Sequence, residues 1–337
     1  MTPTAAVFPT AGPGGMYESF YLRAVSPDEP LGVWIRHTIH QRPGQAPRGS
    51  VWFTLFDASQ PRPLAHKETF DDPSVPPGGW IAVGGSSFGP DGAEGSCGPA
   101  SWSLRTTATA PPLRHLRRSV LYRAPVPRTK LTSPMPLARL DGEVRVGERT
   151  IDVRGWPGMV GHNWGAEHAE RWVWLHGAAF EQDPGAWIDV AVGRILVGGR
   201  LTPWVANGAV EIGGRRHAIG GLLARGVRVD AHVGRAELSL PGPGGLRVIA
   251  QVTAPREATV GWRYADPDGG EHDVANCSIA ALSLTVEARD GVRHPLTTGH
   301  GGAYELGMRE RDHGLPIEPF GDGWPVRRVH VRGRFAS

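Results

Sequence analysis

Turn-forming residues interrupt this chain along almost its whole length, at intervals of about ten residues. The 47 glycines and 31 prolines are spread evenly and are not concentrated in one tail. Between them lie short runs rich in β-branched and aromatic residues, which favour strands. No run has the length and 3.6-residue periodicity of a three-turn helix, and no glycine-rich phosphate loop stands between a strand and a helix. We therefore predict an all-β chain of antiparallel barrels or sandwiches.

Three runs show the strand pattern most clearly. Residues 32–40 predict a strand with bulk on both faces, one carrying Val33, Ile35, His37 and Ile39 and the other Trp34, Arg36, Thr38 and His40. We expect such a strand to be covered on both sides. Residues 282–288 alternate strictly and predict a strand with one solvated face. Residues 141–153 predict a hairpin with Gly147 at its turn.

The length of the chain predicts about two domains, because a single core rarely serves 337 residues. Hydrophobic residues make up 40% of the chain and charged residues 20%, so it should fold without a partner. Both halves show strand patterns of the same kind. We predict two consecutive antiparallel β domains, residues 1–160 and residues 161–337.

Charge and cysteine content narrow the functional classes. The formal net charge is only +3, lysine occurs only at Lys67 and Lys130, and no nucleic-acid-binding motif is present, so we expect no nucleic-acid partner. Cys97 and Cys277 are far apart and lack a metal or redox spacing, which indicates a reduced, cytoplasmic setting without a disulfide. The first residues do not show a signal-peptide pattern, and no run of about 18 apolar residues could span a membrane.

A basic stretch covers residues 114–130. No acidic residue occurs between Glu94 and Asp141, whereas this interval holds seven arginines and one lysine. Its prolines prevent it from forming one helix. One interpretation is a solvated, extended connection. The other is a surface for peripheral contact with an anionic membrane or with an acidic substrate head group.

Residues 156–176 combine aromatic bulk with titratable groups. This central stretch holds four of the twelve tryptophans and three of the fourteen histidines. Such a mixture suits a deep pocket for an apolar substrate. The alternative is a set of core tryptophans whose polar tips are hydrogen-bonded. Composition leaves both interpretations open.

Acid–base chemistry fits the residue types better than nucleophilic or metal chemistry does. The candidate groups are His162, Glu167, His168 and His176, with Glu18, His37 and Glu305 as outer possibilities. A histidine titrates near neutral pH, and a tryptophan face stabilises a developing cation by about 0.5–2 kcal/mol. No Gly-x-Ser-x-Gly motif is present, and the histidine spacings match no compact zinc pattern, so we expect no metal.

Three segments together resemble a known superfamily. They are Tyr17-Glu18-Ser19-Phe20-Tyr21, the stretch 121–134, and above all Gly161-His162-Asn163-Trp164-Gly165 followed by Arg171-Trp172-Val173-Trp174. In this order they are similar to the lipocalin-like superfamily of carotenoid 1,2-hydratases (hydroxyneurosporene synthases), tocopherol cyclases and related pericyclic cyclases. The resemblance covers most of the chain. It implies two consecutive lipocalin-like β domains with an apolar pocket in or between them, and it implies activity without an organic cofactor.

The resemblance also implies a substrate class and site residues. Family members hydrate or cyclise polyene, prenyl or polyketide substrates. The carotenoid-hydratase type carries His-Glu-Trp where this chain has His162-Asn163-Trp164, and the Asn-Trp-Gly of the cyclase type is closer, which favours cyclisation. We expect His162 or His168 to act as acid or base with Glu167, and Asn163 to orient the substrate. The residues expected to line the pocket are Trp34, Trp164, Trp172, Trp174, His176, Tyr17 and Glu18.

A second functional hypothesis comes from a different class. A chain of this kind can also bind or carry a lipophilic small molecule without changing it, and composition does not separate carrier from enzyme. A third hypothesis, a structural scaffold, predicts that no continuous cavity of about 300 Å³ or more exists.

Overall fold

The computed structural model describes residues 5–8, 14–221 and 224–318, which form 23 strands. In chain order the strands are β1 (Met16–Val25), β2 (Leu31–Gln41), β3 (Arg48–Asp57), β4 (Leu64–Phe70), β5 (Ile81–Val83), β6 (Ser86–Gly89), β7 (Gly92–Cys97), β8 (Ala100–Ala108), β9 (Leu113–Arg114), β10 (Thr129–Val146), β11 (Arg149–Gly165), β12 (Arg171–Gly177), β13 (Trp187–Arg194), β14 (Leu196–Val197), β15 (Arg200–Leu201), β16 (Val205–Ile212), β17 (Arg215–Gly220), β18 (Arg228–His232), β19 (Arg235–Pro241), β20 (Arg247–Thr253), β21 (Val260–Ala265), β22 (Glu271–Glu287) and β23 (Arg293–Met308). The helices of these residues are three short 3-10 turns, Ser119–Tyr122, Pro243–Gly245 and Arg256–Ala258. The all-β prediction is therefore confirmed.

The first sheet contains β1 to β11. Its strands follow the order β4-β3-β2-β1-β11-β10-β8-β7-β6-β5, with β9 beside β10, and neighbours are antiparallel. Because β5 packs back against β2 and β3, the sheet curls into a barrel-like shape. Its interior is filled by apolar side chains such as Phe20, Ile35, Phe53 and Trp102. The first strand pairs with the last one, so residues 17–24 lie beside residues 158–165.

The second sheet contains β12, β13 and β16 to β23. Its order is β17-β16-β13-β12-β23-β22-β20-β19-β18, with β21 beside β22, and β14 and β15 form a separate hairpin. Contacts between β17 and β19 curl this sheet as well. Its core includes Val173, Leu175, Trp262 and Tyr304.

The change from the first sheet to the second occurs between Gly165 and Arg171. Strand β11 runs through the predicted boundary between residues 160 and 161 and ends at Gly165. Residues 166–170 form the connection, and β12 begins the second sheet. The three histidines of the central stretch therefore lie on different elements, His162 on β11, His168 in the connection and His176 on β12.

The outer face of the first sheet packs against the second sheet. The Trp34 and Trp52 rings lie 5.9 Å and 5.1 Å from the ring of Trp262. Strand β2 is therefore buried on both faces, as predicted, because one face fills the first barrel and the other meets the second domain. This packing brings strands that are distant in sequence around one central space.

The predicted local elements agree with the structure where the pattern was clear. The hairpin of residues 141–153 joins β10 and β11, and Gly147 adopts a φ of 58° at its turn. The basic stretch holds only the short turn Ser119–Tyr122 and strand ends, so it is not a helix. Across the described ranges, none of the helical turns is long and apolar enough to cross a bilayer.

Candidate active site

A cavity of about 1060 Å³ lies between the two sheets. Strands β1, β2, β10 and β11 of the first sheet contribute one wall, and strands β12, β13, β16, β21 and β23 of the second contribute the other. Loops 115–128, 166–170, 195–204 and 224–227 complete the lining. Ligand pockets commonly measure about 300–1,000 Å³, so this space accommodates a large substrate. It also removes the basis of the scaffold hypothesis.

Strand alternation decides which side chains of β1 reach the cavity. Side chains on a strand point alternately to opposite faces. Tyr17 and Tyr21 line the cavity, whereas Phe20 points into the first barrel. Gly161 on the neighbouring strand makes room for Tyr21, because a Cβ there would lie 2.1 Å from the phenol ring. The Tyr21 ring can therefore lie across β11 and meet Trp174 edge-on at 5.5 Å.

His168 is the best-positioned acid–base group of the cavity wall. Its Nδ1 donates to Oδ1 of Asp266 at 2.6 Å, and its backbone N–H donates to the same oxygen at 2.8 Å. Its side chain is only 8% exposed, and its buried Nε2 has no hydrogen-bond partner among the residues that the structure describes. The ring stacks on Tyr17 with centroids 4.1 Å apart and lies 5.5 Å from Trp172. The carboxylate thus sets the tautomer and leaves Nε2 to exchange a proton.

Asp266 remains a carboxylate although it is deeply buried. Burial raises its pKa, but the hydrogen bonds and charge of His168 outweigh that effect, and the net pKa lies below the ordinary value. His272 Nδ1 lies 3.8 Å from Oδ2, and Arg309 Nη2 lies 3.9 Å from it. Burial lowers the pKa of His272 to about 3, so this second imidazole stays neutral.

The same three residues could hold a metal ion. His168, Asp266 and His272 place ligand-type atoms within 4.8 Å of one another, and imidazole with carboxylate is a donor set that zinc and iron accept. Two contacts oppose a cation here. Asp266 Oδ1 already accepts two N–H groups, and Arg309 brings a positive charge close to Oδ2. The hydrogen-bonded pair therefore explains the cluster better than a metal does, and the expected absence of a metal stays a prediction.

Glu305 forms a second polar centre in the wall. Its Oε1 accepts from Trp172 Nε1 at 2.8 Å, and its Oε2 accepts from the Tyr264 hydroxyl at 3.1 Å and from Asn276 Nδ2 at 3.2 Å. The guanidinium of Arg36 lies 4.2 Å from the centre of the Tyr264 ring. Three donors thus hold this carboxylate in a fixed position in the wall.

Asp189 forms a third polar centre and is fully buried. Its carboxylate accepts from Ser133 Oγ and, at 3.0 Å, from Trp174 Nε1, and His115 Nε2 lies 3.2 Å away. Burial raises the pKa of Asp189, but the charge of His115 and these hydrogen bonds outweigh it, so the net pKa is lowered. His115 also lines the cavity, which therefore has two imidazole–carboxylate pairs on its walls.

A smaller cavity of about 60 Å³ adjoins the large one. The two share Tyr17, Arg36, His168 and Tyr264 as wall residues. Polar side chains in the rest of its wall come from Thr38, His40, Arg48, Ser50, Lys67 and Thr69, beside apolar surface of Trp52 and Ala265. A single water needs about 10–15 Å³ of such space and two to four polar partners, so the small cavity is large enough for water.

Seven of the residues predicted for the site line the large cavity. They are Tyr17, Trp34, Asn163, Glu167, His168, Trp172 and Trp174. Asn163 Oδ1 accepts from Ser19 Oγ at 2.7 Å, which holds its amide in place. Glu167 pairs with Arg128 at 2.5 Å, and burial raises its pKa more than Arg128 lowers it.

Three predicted residues lie on the other face of the first sheet. His162 Nε2 donates to Glu18 Oε1 at 2.8 Å, and its ring stacks on Phe20 with centroids 4.0 Å apart. Trp164 lies between His162 at 4.5 Å and Tyr122 at 5.9 Å. Because they alternate with Asn163 along β11, His162 and Trp164 point away from the cavity. Glu18 also accepts the backbone N–H groups of residues 7 and 8, and none of the three lines the cavity.

His176 lies in the contact between the domains. Its Nδ1 accepts from Arg23 Nη1 at 3.0 Å, and its Nε2 donates to the carbonyl of Pro136 at 2.9 Å. Burial, followed by the charge of Arg23, lowers its pKa to about 4, so the ring is neutral. Arg23 also donates to the carbonyls of Ser278 and Gly301. His176 therefore joins the two domains and does not line the cavity.

The remaining acid–base candidates from the sequence, His37 and Glu305, also lie in different places. His37 is fully buried in the first barrel, where burial lowers its pKa to about 3, whereas Glu305 lies in the cavity wall. The most important residue that sequence reasoning missed is Asp266. It lies in the turn Asp266-Pro267-Asp268-Gly269, which reads as an ordinary loop. No local signal links it to His168, which is 98 residues away.

No protein-family model matches this chain. Two uncharacterised proteins of Mycobacterium tuberculosis, from strains CDC 1551 / Oshkosh and H37Rv, are each 28% identical to it over 313 residues, which is 91% of this chain and 91% of each relative.

Solved structures with the same architecture are similar at low sequence identity. A Nitrosomonas europaea protein provisionally assigned as AttH has a TM-score of 0.55 and 13% identity, covering 91% of this chain and 97% of that one. CghA has a TM-score of 0.57 and 12% identity, with 91% and 94% covered. Kievitone hydratase from Nectria haematococca has a TM-score of 0.50 and 9% identity, with 88% and 89% covered. The lipocalin-like, two-domain all-β fold is confirmed. Membership of the carotenoid-hydratase or tocopherol-cyclase branches stays a prediction.

Proposed function

We propose that this chain is a cofactor-independent acid–base enzyme that adds water to, or closes a ring on, a lipophilic isoprenoid, polyene or polyketide substrate. The observation that carries the proposal is the position of the His168 side chain. Its ring lines the large cavity, its Nδ1 is bound to the buried Asp266, and no group in the described part of the chain forms a hydrogen bond with its Nε2. An oriented imidazole in a largely apolar cavity is the arrangement that general acid–base catalysis uses.

Hydration of a carbon–carbon double bond needs one proton given and one taken. As an imidazolium, His168 gives the Nε2 proton to one carbon, which leaves a cation at the other. Asp266 stabilises the imidazolium because it remains ionised in the folded protein. A water molecule then bonds to the cationic carbon, and Nε2 takes the proton that this water loses. The sum is the addition of one water molecule, and the imidazolium is restored.

The aromatic wall suits the cation formed in such a reaction. Trp172, Trp174 and Tyr17 present ring faces or edges to the cavity. Each well-placed ring stabilises a cation by about 0.5–2 kcal/mol. The carboxylate of Glu305 is held among these rings by Trp172 and Tyr264 and adds a favourable negative charge.

The small cavity beside His168 favours hydration over cyclisation. It touches His168 and provides polar groups for water on one side of a mostly apolar space. A cyclase would need to exclude that water from the cation.

The test uses the purified protein and a lipid extract of its source organism in isotopically labelled water. Hydration yields a product that contains one labelled oxygen, cyclisation yields a product of unchanged mass, and a carrier returns its ligand unchanged. His168→Gln should lower the rate of product formation by about 10²–10⁴-fold. Asp266→Asn should also lower it, because an amide no longer fixes the imidazole tautomer.

The matched control is a histidine–aspartate pair on the surface. His232 Nε2 lies 2.7 Å from Asp230 Oδ1, and both side chains are more than half exposed. His232→Gln should leave turnover unchanged. The enzyme proposal fails if ligands return unchanged, and the His168 assignment fails if His168→Gln and His232→Gln turn over equally.

A further inference from the structure

The exposed apolar side chains of this protein gather at the mouth of the large cavity. Among the described residues, seven large hydrophobic side chains are strongly exposed. Four of them belong to two neighbouring loops of the cavity, namely Val120 and Val126 of residues 119–128 and Leu196 and Val197 of the β14–β15 hairpin. Val126, Leu196 and Val197 themselves line the cavity. We define residues 114–128, 195–204 and 224–229 as the rim.

The rim is also exclusively basic. Its three segments contain no aspartate or glutamate. Their exposed cationic side chains include Arg117, Arg118, Arg123, Arg128, Arg200 and Arg225. Arg128 is paired with Glu167 of the 166–170 connection. Arg117 lies beside Gly221, so the first and third rim segments are close together.

The first rim segment is held in a defined shape. Lys130 is buried, and its ammonium donates to the carbonyls of Ala124 and Pro127. The hydroxyl of Tyr122 donates to the carbonyl of Leu131 at 2.9 Å, and its ring packs on Trp164. Val126 is 48% exposed in this anchored segment. The exposure of its side chain is thus imposed by the fold around it.

We propose that the rim is a docking surface for an anionic phospholipid bilayer, on which the mouth of the cavity opens toward the membrane. Apolar side chains surrounded by arginines are the combination that binds such interfaces, since the apolar groups enter the acyl boundary while the cations meet lipid phosphates. A protein partner would need complementary acidic groups. Two copies of this chain could not supply them to each other through their rims, because the rim contains no acidic residue. Docking here gives a lipophilic substrate a path into the cavity that avoids water. Membrane docking is a property separate from the proposed reaction and does not depend on it.

The test is flotation of the full-length protein with vesicles, without substrate. We expect binding to vesicles of equal parts phosphatidylcholine and phosphatidylglycerol, weak binding to phosphatidylcholine alone, and loss of binding at high salt. The double variant Arg118→Glu/Arg123→Glu should weaken binding by at least about fivefold for each arginine. Val126→Asp and, in the independent hairpin, Leu196→Asp should each weaken it by about tenfold.

Matched controls lie far from the rim in the sequence and are similarly exposed. Val292 has the same 48% exposure as Val126, and Arg289 is also exposed. Val292→Asp and Arg289→Glu should bind like the wild type. The proposal is overturned if the wild type ignores anionic vesicles, if rim and control variants bind equally, or if sedimentation shows that the rim instead joins two copies. Since no substrate is present, these outcomes are independent of the proposed reaction.

Discussion

A neutral histidine in the contact between the domains should make the protein lose stability in acid. The pKa of His176 is lowered from 6.5 to about 4, because the ring is buried and faces the guanidinium of Arg23. In the unfolded chain the pKa returns to its ordinary value. Between these two pH values the unfolded state binds more protons than the folded state, so the free energy of unfolding falls as the pH falls.

The expected magnitude follows from the size of the shift. One pKa unit corresponds to about 1.4 kcal/mol, so His176 accounts for a loss of about 3 kcal/mol between about pH 7 and about pH 4. This is a large share of the roughly 5–15 kcal/mol that a domain has. Above about pH 6.5 the contribution should be constant, because the ring is neutral in both states.

The assay is urea unfolding of the wild type and His176→Gln at several pH values. The variant should be less stable at neutral pH, because a Gln side chain cannot keep both hydrogen bonds that the His176 ring forms with Arg23 and with the carbonyl of Pro136. Its stability should nevertheless fall less on acidification, by about 3 kcal/mol. His217→Gln is the control, since its pKa is lowered in the same direction but its side chain is only partly buried. Identical pH slopes for the wild type and His176→Gln would refute the reasoning.

Two further predictions concern the packing around Trp172 and the reactivity of the two buried thiols. Gly307 of β23 lies under Trp172, and a Cβ there would lie 2.1 Å from the indole, whereas Gly299 of the same strand has open space. Gly307→Ala should cost about 1–3 kcal/mol and lower turnover, and Gly299→Ala should do neither; equal unfolding midpoints would contradict this. The thiols of Cys97 and Cys277 are buried, and burial raises the pKa of each to about 12. Both should react with a thiol reagent only after denaturation, and rapid labelling of the native protein would show that one of them is accessible.

The fold could be predicted largely because strand patterns are local. The alternation of residues 32–40, the hairpin turn at Gly147 and the spacing of turns each depend on neighbouring residues. The coverage of β2 on both faces followed from bulk on both faces. The end of the first sheet was harder to predict from the sequence, because β11 continues through residues 161–165, beyond the predicted boundary.

The site was only partly predictable, because the central stretch divides between two faces and two sheets. Asn163, His168, Trp172 and Trp174 reach the cavity. The prediction for His162 rested on its titratable side chain and on the motif that it shares with Asn163, yet adjacent strand residues point to opposite faces. Whether His162, Trp164, Glu18 and His176 influence turnover from their places outside the cavity stays a prediction.

The amino-acid sequence by itself determined the strands and their turns, and its resemblance to a known superfamily gave the expectation of an apolar, aromatic pocket. These properties arise from residues close together along the chain, where alternation and turn chemistry act. Only the tertiary structure decided that Asp266 meets His168 and that Glu305 meets Trp172. Those pairs form because two curled sheets pack face to face, and no local pattern encodes which residues that packing brings together.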